Sequence, residues 1–190
     1  AEQPLSTLGL SADELKLLRS FQLLTLKPLL VLANVPEDQA AAPPPAALLE
    51  YATGKGLKTV AFCAQLEAEI AGLDPEEGEA FLADYAITES AAPRVIRGCY
   101  ETLDLISFLT AGGPDEVRAW TIARGTRAQN AAGAIHSDIE RGFIRAETVA
   151  YDDFAAHGSF EACRKAGVLR LEGKDYIVQD GDIITFRFNV

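Results

Sequence analysis

Residue types that build metal centres and disulfide frameworks are scarce in this 190-residue sequence, which has no methionine, two histidines and three cysteines. Cys63, Cys99 and Cys163 are odd in number and far apart, which disfavours a disulfide framework or a CxxC site, so we expect reduced thiols. His136 and His157 are too few for a histidine cluster, so we predict no metal site. Because position 1 is alanine rather than methionine, we expect a piece of a longer protein.

Long apolar runs and a phosphate-binding loop are also missing. No run approaches the ~18 apolar residues of a membrane span, and no secretory leader is visible, so we expect a cytoplasmic protein without a membrane partner. Thr53–Gly56 contains a Gly-Lys pair but lacks the first glycine of the GxxxxGK[ST] motif. Without that loop, no backbone nest cradles phosphates and no lysine or hydroxyl holds them and Mg²⁺. We therefore assign no catalytic residue and expect the chain by itself to hydrolyse nucleotide poorly or not at all.

Acidic residues outnumber basic ones, 28 to 17, and the net charge of −11 argues against a general nucleic-acid or DNA binder. The imbalance is uneven along the chain. Residues 1–104 hold 7 Lys/Arg against 16 Asp/Glu, whereas residues 105–190 hold 10 against 12. The composition therefore still allows a local basic face on the second part.

The first part alternates helix and strand signals, which is the pattern of a parallel α/β sheet. Ser11 and Glu14 form a capping signature for a helix that should end at Lys27-Pro28. Two short apolar runs, Pro28–Ala33 and Thr59–Cys63, are typical of strands buried on both faces. The pattern also predicts a loop over 39–47 and helices over Ala46–Thr53, Gln65–Leu73, Pro75–Tyr85 and Ala92–Leu105.

After about Leu105 the pattern changes to that of a small α+β domain. Ser107–Thr110 and Val117–Ala123 predict two strands joined by a turn at Gly112–Pro114. Asp180-Gly181 predicts a hairpin between two further strands. The other predicted elements are a helix over Ala128–Ile135, a strand over Ile144–Val149, and a helix over Ser159–Ala166 that starts at Ser159 and stops at Gly167.

Two strand ends carry the first candidate site. Asn34 and Glu37 follow the first predicted strand, at the edge where open α/β sheets bind ligands. The asparagine side chain donates and accepts, which suits a purine edge, whereas an ionised Glu37 only accepts and weakly favours the exocyclic amine of adenine. Cys63, Ala64 and Gln65 follow the second strand, where backbone N–H groups could meet a base or ribose. The alternatives are a strand-end turn with a helix cap and an ordinary strand–helix junction.

The second candidate surface lies in the second part, where Arg118 and Trp120 share one face of a predicted strand. Arginine planes and an aromatic ring suit contacts with RNA backbone and bases. The alternative is a solvated mixed-charge surface with Trp120 in the core. The candidate RNA contacts are Arg118, Trp120, Arg124, Arg127, Arg141 and Arg145, and Arg164 and Lys165 add to the positive charge.

Several motifs resemble Obg-like ATPases of the YchF type, and they are spread over essentially the whole chain. Residues 17–35 read LLRSFQLLTLKPLLVLANV, and residues 34–37 match the NxxE motif that replaces the NKxD base-reading motif of GTPases. Residues 63–67 are similar to the family's SAxLE motif, with Cys63 in place of serine. The matches to the family's TGS domain are FLTAGG (108–113), EVRAWTI (116–122), GFIRAE (142–147), EGKDYIVQDGD (172–182) and FRFNV (186–190).

The resemblance implies an α/β fold followed by an α+β fold. Residues 1–20 would be the tail of a helical insertion, 21–104 the C-terminal part of a P-loop, Rossmann-like nucleotide domain, and 105–190 a β-grasp TGS domain. It also implies a cytoplasmic ATPase that contacts the ribosome or ribosomal RNA. ATP would be the ligand, with GTP disfavoured and Mg²⁺ held only by residues upstream of this chain. The base-binding residues would be Asn34, Val35, Glu37, Cys63, Ala64 and Gln65.

A competing hypothesis involves no nucleotide. The chain could be a non-enzymatic RNA- or protein-binding module without a nucleotide site of its own. The two hypotheses differ in whether a purine nucleotide binds at Asn34 and Glu37.

Overall fold

Two compact units make up the chain. The computed structural model describes residues 3–113 and 116–189. It divides between Thr102 and Leu103 into the units Ala1–Thr102 and Leu103–Val190. Each unit has its own sheet, two-stranded in the first and five-stranded in the second. The assignment of 1–20, 21–104 and 105–190 to three named domains stays a prediction.

The first unit is built from short helices around a pair of strands. Single 3₁₀ turns lie before and between them, at Leu5–Thr7, Arg19–Phe21, Leu24–Leu26 and Glu37–Gln39. In chain order the longer elements are α1 (Ala12–Leu18), β1 (Leu30–Asn34), α2 (Ala46–Gly54), β2 (Lys58–Phe62), α3 (Ala64–Ile70), α4 (Pro75–Asp84) and α5 (Ala91–Thr102).

The parallel arrangement predicted for the two apolar runs is confirmed. β1 and β2 run parallel, with Asn34 opposite Phe62 at their carboxyl ends. Helix α5 packs across both strands at Gly98, where an added Cβ would lie 3.3 Å from side-chain atoms of Leu30 and Val60. The absence of a side chain at Gly98 therefore lets the helix approach the sheet closely.

Helix α1 is shorter than the apolar spacing predicts. The capping box at Ser11 and Glu14 is present, but the helix ends at Leu18 instead of continuing to Lys27. Two 3₁₀ turns follow, and Gln22 between them has a left-handed φ of 51°. Leu17, Phe21 and Leu24 are 75%, 69% and 81% exposed. Packing supplies most of the stability of a helix of this length, and these side chains gain little of it.

The second unit is a mixed sheet flanked by helices. Its strand order is β4-β3-β7-β5-β6, with β3 and β7 parallel in the centre and the other neighbours antiparallel. The elements are β3 (Leu105–Gly113), β4 (Glu116–Ala123), α6 (Ala128–Ile135), α7 (Ser137–Arg141), β5 (Phe143–Ala150), α8 (Tyr151–His157), α9 (Phe160–Ala166), β6 (Arg170–Glu172) and β7 (Asp182–Phe188). The predicted turn at Gly112–Pro114 falls partly outside the described residues.

The hairpin predicted at Asp180-Gly181 is wrong. β7 pairs with β3 and β5, and between β6 and Asp180 residues 173–179 contribute a single bridge, from Ile177 to Arg127. The dipeptide instead reaches the start of β3. The Asp180 carboxylate accepts a hydrogen bond from the Ser107 N–H at 2.8 Å, and the Gly181 N–H donates to the Ser107 carbonyl at 2.8 Å. A turn motif is local, whereas these partners lie more than 70 residues away in the chain.

A small-residue helix face closes the core of the second unit. Ala128, Ala131 and Ala132 of α6 are fully buried against the sheet, where Phe108 and Phe186 meet edge to face with ring centroids 5.9 Å apart. Alanine side chains let the helix lie close to these rings. This packing fixes the central pair of strands, β3 and β7.

A buried carboxylate anchors the start of β7. Asp182 accepts hydrogen bonds from Arg170 at 3.0 Å, from the Tyr176 hydroxyl at 2.8 Å and from the Gln179 N–H at 2.9 Å. Burial of the ring, followed by its bond to Asp182, raises the pKa of Tyr176 to about 12. With three donors, the buried charge of Asp182 is satisfied.

We expect Gly142→Ala to destabilise the chain, because the added Cβ would overlap the backbone oxygen of Asn189. The Asn189 N–H also donates to the Gly142 carbonyl at 2.9 Å, so the two segments cannot separate freely. The expected loss is about 1–3 kcal/mol of unfolding free energy, measured by urea denaturation. Gly173→Ala is the matched control, since nothing lies within 4 Å of its added Cβ. Equal losses in the two variants would contradict this account.

Candidate functional site

The ends of β1 and β2 are tied together by one side chain. Asn34 Oδ1 accepts a hydrogen bond from the Ala64 N–H at 3.0 Å. One residue further on, the Val35 N–H donates to the Phe62 carbonyl at 2.9 Å and extends the parallel ladder. The structure therefore brings the two predicted strand ends to one edge of the sheet.

The hydrogen bond to Ala64 fixes the orientation of the Asn34 amide. A backbone N–H can only donate, so the atom of Asn34 that faces it is the carbonyl oxygen. No described residue accepts a hydrogen bond from the amide nitrogen, and the side chain is exposed. Asn34 can therefore offer a donor to a ligand while its acceptor holds the two strand ends together.

The side chains of Val35 and Cys63 pack into the core, which leaves only their backbone groups at the edge of the sheet. Both side chains are buried: Val35 packs with Ala33 and Ala61, and Cys63 with Ala40 and Leu66. Neither side chain can reach a ligand at the edge. Gln65 is exposed at the start of α3, and its amide lies 3.5 Å from Glu69.

Glu37 has a partner that the sequence analysis did not identify. It starts the 3₁₀ turn Glu37–Gln39, and its carboxylate accepts a hydrogen bond from the Tyr85 hydroxyl at 2.5 Å. This hydrogen bond is the main reason that the pKa of Tyr85 is raised. Tyr85 follows α4, 48 residues away from Glu37, so no local spacing could have indicated the contact. Its only sequence signal is an aromatic residue at a predicted helix end.

An open hollow of about 580 Å³ adjoins Glu37 and Tyr85. Its lining does not include Asn34 or the residues after β2. The two polar groups predicted to read a base therefore differ in their surroundings: Asn34 lies at the sheet edge and Glu37 lines the hollow. The lining residues are Pro36, Glu37, Asp38, Ala41, Asp84, Tyr85 and Ala86.

Most of the predicted RNA-contacting arginines carry a matched negative charge. Each of four pairs with a nearby carboxylate at the surface of the second unit, where ion pairs contribute little to stability. The pairs are Arg118 with Glu116 at 2.7 Å, Arg124 with Asp104 at 3.0 Å, Arg127 with Asp175 at 3.0 Å, and Arg141 with Asp138. Their net contribution to an electropositive face is therefore small.

For Trp120 the structure favours the alternative in which the ring belongs to the core. The ring is partly buried against the core cluster of the second unit. Its indole N–H donates to the Thr110 hydroxyl at 2.8 Å. A ring held in this way presents little free surface for stacking on a base.

Arg145 lies in a different setting, within a cluster of arginines. It sits opposite Arg187 in the pairing of β5 with β7. Glu147, two residues along the same face, accepts two hydrogen bonds from Arg187, both at 3.2 Å, and one from Arg164 at 3.5 Å. Bonding to Arg187, and then the charges of Arg187, Arg164 and Arg145, hold the pKa of Glu147 below its usual value. Arg187 and Arg164 bond to one carboxylate, and Arg145 opposite Arg187 adds a third positive charge, which leaves an excess of positive charge.

Arg187 was missed as a candidate because its place beside Arg145 depends on strand pairing. The two residues are 42 positions apart in the sequence. The alternation of charged residues at 145 and 147 was a usable signal, but the partner strand was assigned to a hairpin. Correct pairing of β7 with β5 would have been needed to find the cluster.

His136 has a local structural role. Its Nδ1 accepts a hydrogen bond from the Asp138 N–H at 3.2 Å, which caps α7. Within residues 3–113 and 116–189, no group of three His, Cys, Asp or Glu side chains is placed to hold a metal ion. In the same residues no helix is both long and apolar enough to cross a bilayer.

A parallel strand pair with Asn34 at the end of its first strand and Glu37 in the turn that follows is consistent with the C-terminal part of a P-loop nucleotide-binding protein. A separate mixed-sheet unit comes after it in the chain. Residues 105–189 match the family model YchF-GTPase_C, which is described as a protein of unknown function. The structure of the Schizosaccharomyces pombe YchF GTPase superposes with a TM-score of 0.81 at 31% identity, covering 97% of this chain and 50% of that one. A GTP-binding protein from Pyrococcus horikoshii shares the fold, with a TM-score of 0.61 at 19% identity.

Sequence relatives agree with the structural match. The chain is 47% identical to the ribosome-binding ATPase YchF of Bacillus subtilis over 100% of its own length and 53% of that protein. It is 42% identical to the Obg-like ATPase 1 of Rattus norvegicus over 93% of its own length and 45% of that protein. The chain belongs to the YchF family of Obg-like ATPases and corresponds to its C-terminal part. It spans about half the length of these relatives.

We expect Glu147→Gln to lower the unfolding free energy at neutral pH by about 1 kcal/mol, because the arginines lose their charged acceptor. The pKa of Glu147 in the folded chain is depressed below 4.5, so its stabilising effect is present above that value and is lost as pH falls through the folded pKa. The difference between wild type and variant should shrink on acidification, measured by urea denaturation at each pH.

The matched control for this experiment is Glu161→Gln. Glu161 forms an exposed pair with Lys165 at 2.8 Å, and its loss should change stability by less than about 0.5 kcal/mol. A Glu147→Gln effect that stays constant across the acidic range would contradict the role assigned to the charge of Glu147.

Proposed function

We propose that this chain supplies base recognition and a ribosome-docking module to an ATPase of the YchF family. The observation that carries the proposal is the hydrogen bond between Asn34 and Ala64, which fixes an amide donor at the sheet edge. The relatives at 47% and 48% identity that are named ribosome-binding ATPases support the wider setting. A cytoplasmic location accords with that setting.

Asn34 and Glu37 would divide the reading of the purine between them. The Asn34 amide would donate to a ring nitrogen, and the Glu37 carboxylate would accept from an exocyclic amine. Ionised carboxylates cannot donate, so a carbonyl at the same place on the base is disfavoured. Adenine carries the amine and guanine the carbonyl, which favours ATP over GTP. Backbone groups of Val35, Cys63 and Ala64 would shape the edge without side-chain contact.

Phosphate and Mg²⁺ would be held outside this chain. The sequence has no GxxxxGK[ST] loop, and its described residues contain no group of three metal-ligating side chains. The residues present therefore do not fit Mg²⁺, and we assign no hydrolytic step to them. In a longer protein, phosphoryl transfer to water would depend on positioning and electrostatics supplied elsewhere.

The second unit would be the docking module, a β-grasp domain of the TGS kind. Its two parallel central strands, the antiparallel strands on either side and the helix α6 over one face support that assignment. The surface best suited to RNA is the arginine cluster formed by Arg145, Arg164 and Arg187. Guanidinium groups bind phosphate through paired N–H donors, and the only carboxylate bonded within this cluster of described residues is Glu147, which Arg164 and Arg187 share.

A non-enzymatic RNA- or protein-binding module remains the competing function. It would need the second unit alone and would leave the edge at Asn34 without a ligand. The arginine cluster favours this function as strongly as the first, so only nucleotide binding separates the two.

We expect the 190-residue chain to bind ATP saturably and GTP more weakly in calorimetric titrations. Asn34→Asp keeps an acceptor for the Ala64 N–H but removes the amide donor, so it should weaken ATP binding about tenfold without loss of stability. Asn34→Ala removes both groups and should weaken binding and lower stability.

Wild-type ATP affinity in Asn34→Asp would reject the donor role of Asn34. No saturable binding by the wild-type chain would reject nucleotide recognition by this chain and favour the competing function. A clear preference for GTP would show that the inference from Glu37 is wrong.

Binding of purified ribosomal RNA should depend on the arginine cluster. Replacing Arg145 and Arg164 with alanine leaves Arg187 on Glu147, so the sheet keeps its ion pair while the surface loses two positive charges. We expect weaker binding and a salt dependence reduced by about one unit for each lost phosphate contact. The measurement is filter binding over a range of salt concentrations.

The matched control removes the same number of charges elsewhere on the second unit. Arg124 and Arg127 are each paired with an aspartate, so their joint replacement by alanine should have a smaller effect. Equal effects of the two double variants would assign the binding to net charge alone.

A further inference from the structure

One oxygen of the Glu37 carboxylate is already occupied. We propose that Tyr85 is a positioning residue for purine selection: by donating its hydroxyl to Glu37 it leaves one carboxylate oxygen for the base, and so excludes guanine. The inference rests on the proposed role of Glu37 in base recognition. It adds a residue that the NxxE motif does not contain.

Tyr85 is held in place by packing as well as by the hydrogen bond. Its ring lies 5.2 Å from the ring of Phe81, measured between centroids. Tyr85 and Phe81 also pack against the buried cluster that contains Ala40 and Cys63. Ala40 directly follows the turn that carries Glu37, and Cys63 directly follows β2. The same core therefore anchors the tyrosine, the glutamate turn and the second strand end.

The hydrogen bond selects one of the two carboxylate oxygens. The Tyr85 hydroxyl lies 2.5 Å from Glu37 Oε1, and bonds from a hydroxyl to a charged acceptor are among the shortest and strongest in proteins. Oε2 has no hydrogen bond from any described residue. Tyr85 also borders the hollow beside Glu37, so both residues lie at the same opening.

A carboxylate with one free oxygen distinguishes the two purines. Guanine offers neighbouring N1–H and N2–H donors, which a carboxylate matches best with both oxygens in a fork. Adenine offers a single exocyclic amine beside an acceptor nitrogen, and one oxygen satisfies it. Because Oε1 already accepts a hydrogen bond from Tyr85, it would accept the second guanine donor only weakly. Adenine needs only Oε2, so its hydrogen bond would be unaffected.

A purely structural role for Tyr85 makes a different prediction. If the hydroxyl only stabilised the turn, its loss would weaken binding of ATP and GTP alike. If it positions the carboxylate, its loss changes the ratio of the two affinities. The ratio is therefore the informative measurement.

The test is Tyr85→Phe in the 190-residue chain, with dissociation constants for ATP and GTP measured by calorimetry. The ring and its packing on Phe81 are kept, so the fold should persist, which thermal unfolding checks. We expect the ATP-to-GTP affinity ratio to fall about tenfold, mainly through tighter GTP binding. Tyr51→Phe makes the same chemical change on exposed α2 and should leave the ratio unchanged.

Glu37→Asp provides a second, independent variant. The shorter side chain withdraws from Tyr85 but keeps both oxygens, so the ratio should fall in the same direction as in Tyr85→Phe. Adding Tyr85→Phe to Glu37→Asp should change the ratio little further, because both act on one contact.

The outcomes separate the two proposals. A ratio that is unchanged in Tyr85→Phe, with ATP binding intact, overturns the role of Tyr85 and leaves base recognition by Glu37 standing. Full additivity in the double variant overturns it as well. Absence of saturable ATP binding by the wild-type chain rejects the base-recognition proposal, and this inference with it.

Discussion

Parallel pairing of β1 with β2 is the interaction on which the candidate nucleotide edge depends. It places Asn34 opposite Phe62 and lets the asparagine side chain reach the Ala64 N–H. Without this register, the two polar strand ends would be unrelated segments about 30 residues apart. Helix α5 covers this strand pair at Gly98. The same pairing also determines that the carbonyl oxygen of the Asn34 side chain bonds within the chain, whereas its amide nitrogen faces outward.

Polar contacts between distant residues recur in both units, and each sets the position of a strand or turn. Asp182 gathers three donors at the start of β7, and Glu147 joins β5 to β7 through Arg187. Glu37 is joined in a similar way to Tyr85. Asp182 and Glu147 are buried, and a buried carboxylate without such donors would be costly, so their contacts stabilise specific strand pairings as well as the fold.

Prediction from the sequence succeeded where the signal was local and failed where it depended on partners. The capping box at Ser11, the parallel strands and the helix Ala128–Ile135 were all predicted correctly. The long first helix and the hairpin at Asp180-Gly181 were not. In both failures the local pattern was present. The apolar side chains after Leu18 lack the packing that a longer helix needs, and β7 pairs with β3 and β5 instead of with the segment just before it.

The sequence by itself determined the family, the parallel strand pair, several of the helices and the residue types at the strand ends, because motifs and periodicity are properties of neighbouring residues. Only the tertiary structure decided that Asn34 bonds to Ala64, that Tyr85 occupies one oxygen of Glu37, and that Arg145 lies beside Arg187. These contacts join residues 30 to 48 positions apart. Their existence follows from sheet pairing and core packing, which local spacing does not encode.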